Sequence, residues 1–129
     1  MFFRNPKNAV KVLQYVAPAA AGAGTVNGAA VDATGYSAVL AVLLVGIIGA
    51  DSTLAAKLQD GDDVATAATD RDEMAAKTPA QASDTQQKLG FNAAQGGKQV
   101  RVQLTRAGGN NTTAGWVLLG LNPQDAPVA

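Results

Sequence analysis

The stretch Ala38-Val39-Leu40-Ala41-Val42-Leu43-Leu44-Val45-Gly46-Ile47-Ile48 decides how this chain is read. Nearly every position is apolar, so periodicity alone cannot separate a buried helix from a strand covered on both faces. Residue type separates them. Five of the eleven are β-branched and Gly35 and Gly49 bracket the run; branching at Cβ restricts χ1 in a helix but fits a pleated sheet. The run predicts a central strand over 38–46, with a turn at Gly49-Ala50-Asp51. It is too short for a membrane-spanning helix, which needs about 20 apolar residues; residues 38–50 give thirteen before Asp51.

Toward the C-terminus, Leu54, Ala56 and Leu58 alternate with Thr53, Ala55, Lys57 and Gln59. A short helix capped by Ser52 or Thr53 would also bring Leu54 and Leu58 together. The turn expected at Asp60-Gly61-Asp62-Asp63 favours a strand. Residues 64–88 are rich in Ala, Thr, Asp and Gln and read as a surface excursion with one short helix around 70–77. Val100, Val102 and Leu104 alternate with Arg101, Gln103 and Thr105, the pattern of a half-buried strand. Gly108-Gly109-Asn110-Asn111 reads as a hairpin loop before a closing apolar strand, 114–121, that contains Trp116 and ends at Asn122-Pro123.

Toward the N-terminus, Val10, Val12 and residues 14–16 make a first strand that Pro18 ends. Residues 17–30 read as a loop or weak strand pair, with Asn27-Gly28 suited to a turn of positive φ. The expected fold is all-β: a β-sandwich or jelly-roll-like single domain over residues 10–123. An N-terminal arm, 1–9, and a C-terminal tail, 124–129, flank it. The expected core holds Val39, Val42, Leu44, Leu54, Leu58, Val102, Leu104, Trp116 and Leu118.

Composition narrows the chemistry. Of 129 residues, 27 are Ala and 14 Gly, so the 47% hydrophobic content hides a modest supply of large side chains. Without Cys there is no disulfide, thiolate nucleophile or zinc–thiolate site. Without His the usual general base and the commonest metal ligand are missing. Ten cations balance ten acids, so net charge points to neither nucleic acid nor an anionic membrane. The charges are segregated, however. The first eleven residues carry Arg4, Lys7 and Lys11 with no acid, residues 51–84 hold eight acids against three cations, and residues 88–106 hold four cations and no acid.

No motif here carries a complete chemical signature. Counting an EF-hand from Asp60 or Asp62 places Ala at the sixth position, where that loop requires Gly. Asp70, Asp72 and Glu73 sit among small polar residues, whereas catalytic carboxylates need burial or close pairing. Gly22-Ala23-Gly24 and Gly96-Gly97-Lys98 lack the spacing of a phosphate-binding loop. Lys98, Arg101 and Arg106 lack the interleaved exposed aromatics of a nucleic-acid platform. The early cations and the small residues at 19–23 mimic a secretory leader, but Gln14 and Pro18 interrupt its apolar stretch. The chain is expected to be no enzyme and to need no cofactor or metal.

Several segments, taken in order, carry a resemblance. They are Lys11-Val12-Leu13-Gln14-Tyr15-Val16-Ala17-Pro18-Ala19, then Gly28-Ala29-Ala30-Val31-Asp32-Ala33-Thr34-Gly35-Tyr36, then Val45-Gly46-Ile47-Ile48 and Leu54-Ala55-Ala56-Lys57-Leu58-Gln59-Asp60. Val100-Arg101-Val102, Leu119-Gly120-Leu121-Asn122-Pro123 and Ala126-Pro127-Val128 complete the series. Together they resemble small proteins encoded among the head genes of tailed bacteriophages and prophages, over about residues 10–129. The resemblance implies a β-sandwich virion protein, a decoration (cement) protein on the capsid exterior. It further implies synthesis in the host cytoplasm, the major capsid protein as partner and further copies of itself on the shell, with no nucleic-acid or membrane partner. A head-completion or tail-associated role is the alternative within the virion, and copy number separates the two. A secreted adhesin or carbohydrate-binding module is the alternative from another class, marked by a mature N-terminus after Ala21 or Ala23. The residues expected to make contact are Phe2, Phe3, Arg4, Pro6 and Lys7, because adjacent exposed phenylalanines call for a partner to cover them.

Overall fold

A computed structural model describes residues 10–84, 88–92 and 99–123. Residues 1–9 and 124–129, expected as arm and tail, lie outside them. The described residues form nine strands: β1 (Val10–Ala21), β2 (Gly24–Asn27), β3 (Val31–Asp32), β4 (Tyr36–Val45), β5 (Ser52–Gly61), β6 (Thr69–Lys77), β7 (Lys88–Asn92), β8 (Gln99–Gly108) and β9 (Thr112–Pro123). A 3-10 helix, Pro79–Asp84, follows β6. All strand pairs are antiparallel. One sheet has the order β1-β9-β4-β7; the other has β2-β8-β5-β6, with β3 also on β8. The two sheets pack as an all-β sandwich.

The core follows from strict alternation. Val39, Ala41 and Leu43 of β4 and Ala114, Trp116 and Leu118 of β9 face Leu54, Ala56 and Leu58 of β5 and Val100, Val102 and Leu104 of β8. Of the nine expected core residues, seven are buried. Val42 and Leu44 are only half-buried. They have the opposite parity to Val39, and a side-chain period of two sends them to the outer surface.

The connections differ from the sequence reading. Residues 108–111 are no hairpin loop, because β8 and β9 belong to different sheets. The loop after β4 also passes between sheets, and the two crossovers are bonded together. Gly46 N donates to Thr113 O (2.9 Å) and Thr113 N to Ile47 O (2.9 Å). Ser52 Oγ donates to Asn110 O (2.9 Å) and accepts from Asn110 N (3.0 Å). Gly108, at φ 104°, leaves no room for a side chain beside Asp51 O. At the same end Arg106 points into the sandwich. Its Nε donates to Thr112 O (3.0 Å), and its Nη2 to Ala19 O (3.1 Å) and Ala114 O (3.4 Å). Burial pushes its pKa down, while the three carbonyls replace lost water and tie β8 to β1 and β9.

Three further expectations are corrected. Residues 69–77 form a strand, not a helix or loop. β6 is an edge strand on β5 that buries only Met74, so its sequence lacks a hydrophobic period. β1 continues past Pro18 to Ala21. It is an edge strand whose register shifts between Val16 and Ala19, and edges and bulges are where a residue without an N–H is tolerated. Gly28 does not have positive φ. It is needed for space, since a Cβ there would sit 2.6 Å from Trp116 Cζ2 and 3.0 Å from Val102 O. The indole above it is fixed by Trp116 Nε1 donating to Gln14 Oε1 (2.8 Å).

Candidate functional site

The outer surfaces of the two sheets have opposite characters. On the sheet containing β5 and β8, outward side chains bond one another across strands. Gln103 Nε2 donates to Asn27 Oδ1 (2.8 Å). Arg101 Nε donates to Gln59 Oε1 (2.8 Å), Gln59 Nε2 donates to Asp70 Oδ1 (2.7 Å), and Lys57 Nζ reaches Asp70 Oδ2 at 3.0 Å. The Gln59 and Lys57 hydrogen bonds hold the Asp70 carboxyl below its ordinary range. Asp70 raises Lys57 in return, by its hydrogen bond and then its charge. This surface is polar and internally satisfied.

On the other sheet the outer surface is apolar. β4 presents Leu40, Val42 and Leu44, whose partners on β9 are Leu119, Val117 and Gly115. β1 continues the rows, with Val10 opposite Leu121, Val12 opposite Leu119 and Tyr15 opposite Val117. The extra residue at Leu13 matters here. Without that bulge, strict alternation would turn Val12 and Tyr15 to opposite faces; the shift between Val12 and Gln14 puts both on the outer one. Val12 and Tyr15 are 59% and 60% exposed, and Val10 38%.

One end of this face is bounded by the second β1 bulge, whose backbone at 16–18 lies against Gly115 too closely for any side chain there. Lys88 of β7, opposite Val42, marks one lateral rim and edge strand β1 the other; Lys11, between Val10 and Val12 and opposite Gly120, has the other parity. Three to four strands spaced about 4.8 Å apart, over seven residues rising about 3.3 Å each, give an apolar area of about 400 Å². Patches of this size on a soluble domain are commonly where it meets a partner. The arrangement can adhere; it offers no reacting group.

The sequence-predicted contact residues Phe2, Phe3, Arg4, Pro6 and Lys7 lie outside the described residues. They immediately precede Val10, where the apolar rows begin. The residues weighed for other chemistry are dispersed. Asp60 belongs to β5, not to a turn; it is fully buried and accepts from Arg71 Nε at 2.6 Å. Asp63 Oδ1 accepts from Ala65 N (3.2 Å) in the turn that follows. Asp72 Oδ2 accepts from Gly90 N (3.1 Å) of β7. Among the described residues no group of three acids is placed to hold a metal ion. Trp116 is a core residue, 3% exposed. Gly96, Gly97 and Lys98 lie outside the described residues.

The sequence reading missed the outer rows of β4 and β9. The available signal was the lack of polar alternation in both strands, which makes each apolar on two faces. A two-layer sandwich can bury only one of them.

Compared with known protein families, curated proteins and solved structures, the chain matches none.

Proposed function

We propose that this chain is a structural virion protein, a decoration protein that lies on the major capsid protein lattice of a tailed-phage head. In this reading it works on the virion surface after synthesis in the host cytoplasm. The observation that carries the proposal is the asymmetry of the sandwich: one outer surface polar and cross-bonded, the other apolar and open at Val12 and Tyr15. A domain built this way is suited to lying on something by one side. The sequence resemblance supplies the shell as that surface.

No enzymatic role is assigned. The acids once weighed as a catalytic group serve the sheet, with Asp70 in an exposed ion pair and Asp72 bonding β7. Adhesion needs neither a general base nor a cofactor, and weak contacts repeated over a lattice hold by avidity. The experiment is quantification of this chain in purified particles. Hundreds of copies per particle are expected; about a dozen would assign it to head completion or the tail, and absence would refute a virion role.

A further inference from the structure

We infer, resting on the shell-binding reading, that Ile47 anchors the docking contact and that its partner is an uncharged apolar patch of the shell protein. Ile47 is the most exposed large apolar side chain among the described residues, at 75%. A bulge puts it there. Gly46 N donates to Thr113 O and Thr113 N donates to Ile47 O, both at 2.9 Å, so two successive residues stand opposite one residue of β9. The extra residue reverses the parity of β4. Val39, Ala41 and Leu43 are buried, yet Ile47 is outside and Ile48 is in the core, 2% exposed. Ile47 therefore extends the outer row of Leu40, Val42 and Leu44 toward the crossover end. The backbone beneath it is fixed by those two bonds, by the burial of Ile48 and by Gly49 N donating to the buried Thr112 Oγ1 (3.4 Å). A β-branched side chain held out on a fixed backbone loses little freedom when a partner closes over it.

Charge defines the partner. Strands β1, β4 and β9 hold no acid, and their single charged residue, Lys11, has the inward parity. Lys88, at the β7 rim, is the one cation on this face among the described residues, and the Asp72 carboxylate is bonded to Gly90 N of the same strand (3.1 Å). Asp51, the acid nearest Ile47 in sequence, immediately precedes β5 of the opposite sheet. The pairs Lys57–Asp70 and Arg71–Asp60 belong to that sheet too. A charge on the partner would lose water against this face and find no counter-charge, so the complementary surface is apolar and uncharged. The area of about 400 Å² is half of the ~800 Å² that each side of a standard interface buries, so the loss of one anchor should be felt. A protein surface is favoured over a bilayer because the described face carries one aromatic, Tyr15, and no Trp, whereas surfaces seated at a bilayer interface are rich in aromatic and basic residues.

The test uses shells lacking this protein and the full-length chain, with bound copies measured by co-sedimentation at low and high salt. Three variants are compared with the wild type: Ile47→Ser, Ile47→Val and Lys88→Glu. Wild-type affinity should change by less than about twofold as salt shortens the Debye length from roughly 14 Å to 4 Å, and Lys88→Glu should bind as the wild type does. Ile47→Ser should bind about tenfold more weakly, the effect of losing one large apolar side chain from a contact, with unchanged thermal unfolding; Ile47→Val should bind nearly as the wild type. If Ile47→Ser binds normally, or if salt or Lys88→Glu weakens binding tenfold, the inference falls and the shell reading stands. A loss of thermal stability in Ile47→Ser would place Ile47 among the packed residues and also overturn the inference. So would a dimer of the free chain that Ile47→Ser dissociates, since a second copy would then be the occupant. Failure of the wild-type chain to bind any shell overturns the shell reading itself. Binding to phosphatidylcholine vesicles but not to shells would replace both with a membrane.

Discussion

Replacing Gly28 by Ala adds one methyl group at a place with no room for it. The new Cβ would lie 2.6 Å from Trp116 Cζ2 and 3.0 Å from Val102 O, and neither neighbour yields easily. Val102 O accepts the Gly28 N–H at 2.7 Å, fixing the backbone. The indole is held by its bond to Gln14 and is 3% exposed. Forcing a methyl group into a packed site costs about 1–3 kcal/mol, and displacing the Trp116–Gln14 hydrogen bond adds about 1 kcal/mol. Lost freedom in the unfolded chain returns about 0.4–1 kcal/mol. The net expectation is a loss of about 2 kcal/mol, or roughly 6–10 °C in Tm for a chain of this length. Trp116 is the single tryptophan, so its fluorescence follows both unfolding and local displacement. Gly109→Ala is the control, since nothing lies within 4 Å of its Cβ position; it should shift Tm little. Gly28→Ala with wild-type Tm and unchanged emission would refute the packing argument.

Two other outcomes test the polar framework. Arg106→Met should cost about 2–4 kcal/mol in denaturant unfolding, because it strips charged donors from buried carbonyls of Thr112 and Ala114; Arg106→Lys should not restore stability, because a lysine cannot reproduce the guanidinium fork. Asp70 has a lowered pKa in the folded chain, so its contribution is present at neutral pH and is lost as pH falls through that depressed value, below the ordinary 3.8. Acid titration of stability should show this loss in the wild type and not in Asp70→Asn; identical acid profiles would refute the assignment. Because the pair with Lys57 is exposed, the effect should be small and weaken in salt.

Strands whose two faces differ were legible in the sequence. β5 and β8 alternate one apolar with one polar residue, and their positions and buried faces follow directly. β4 was legible as a strand but not in its orientation. With Val39, Leu40, Val42, Leu43 and Leu44 all large and apolar, no local signal says which parity faces inward. That ambiguity placed Val42 and Leu44 in the core and hid the outer face. β6 was illegible because an edge strand burying only Met74 makes almost no hydrophobic pattern. Asp60 looked like part of a turn because the partner that its buried carboxylate needs, Arg71, lies on the next strand. The crossover at 108–111 has the composition of a hairpin, and only the sheet assignment of β8 and β9 distinguishes the two. Such choices depend on non-local packing, which short sequence windows do not contain.

The central claim is that the domain adheres by the outer face of the sheet formed by β1, β9, β4 and β7. Side-chain footprinting of the free chain and of the chain bound to particles tests it most directly. Val10, Val12 and Tyr15 should lose labelling on binding, while Thr25, Gln103 and Thr105 on the opposite outer surface keep theirs. Protection of those polar residues, with Val12 and Tyr15 labelled as in the free chain, would contradict the account.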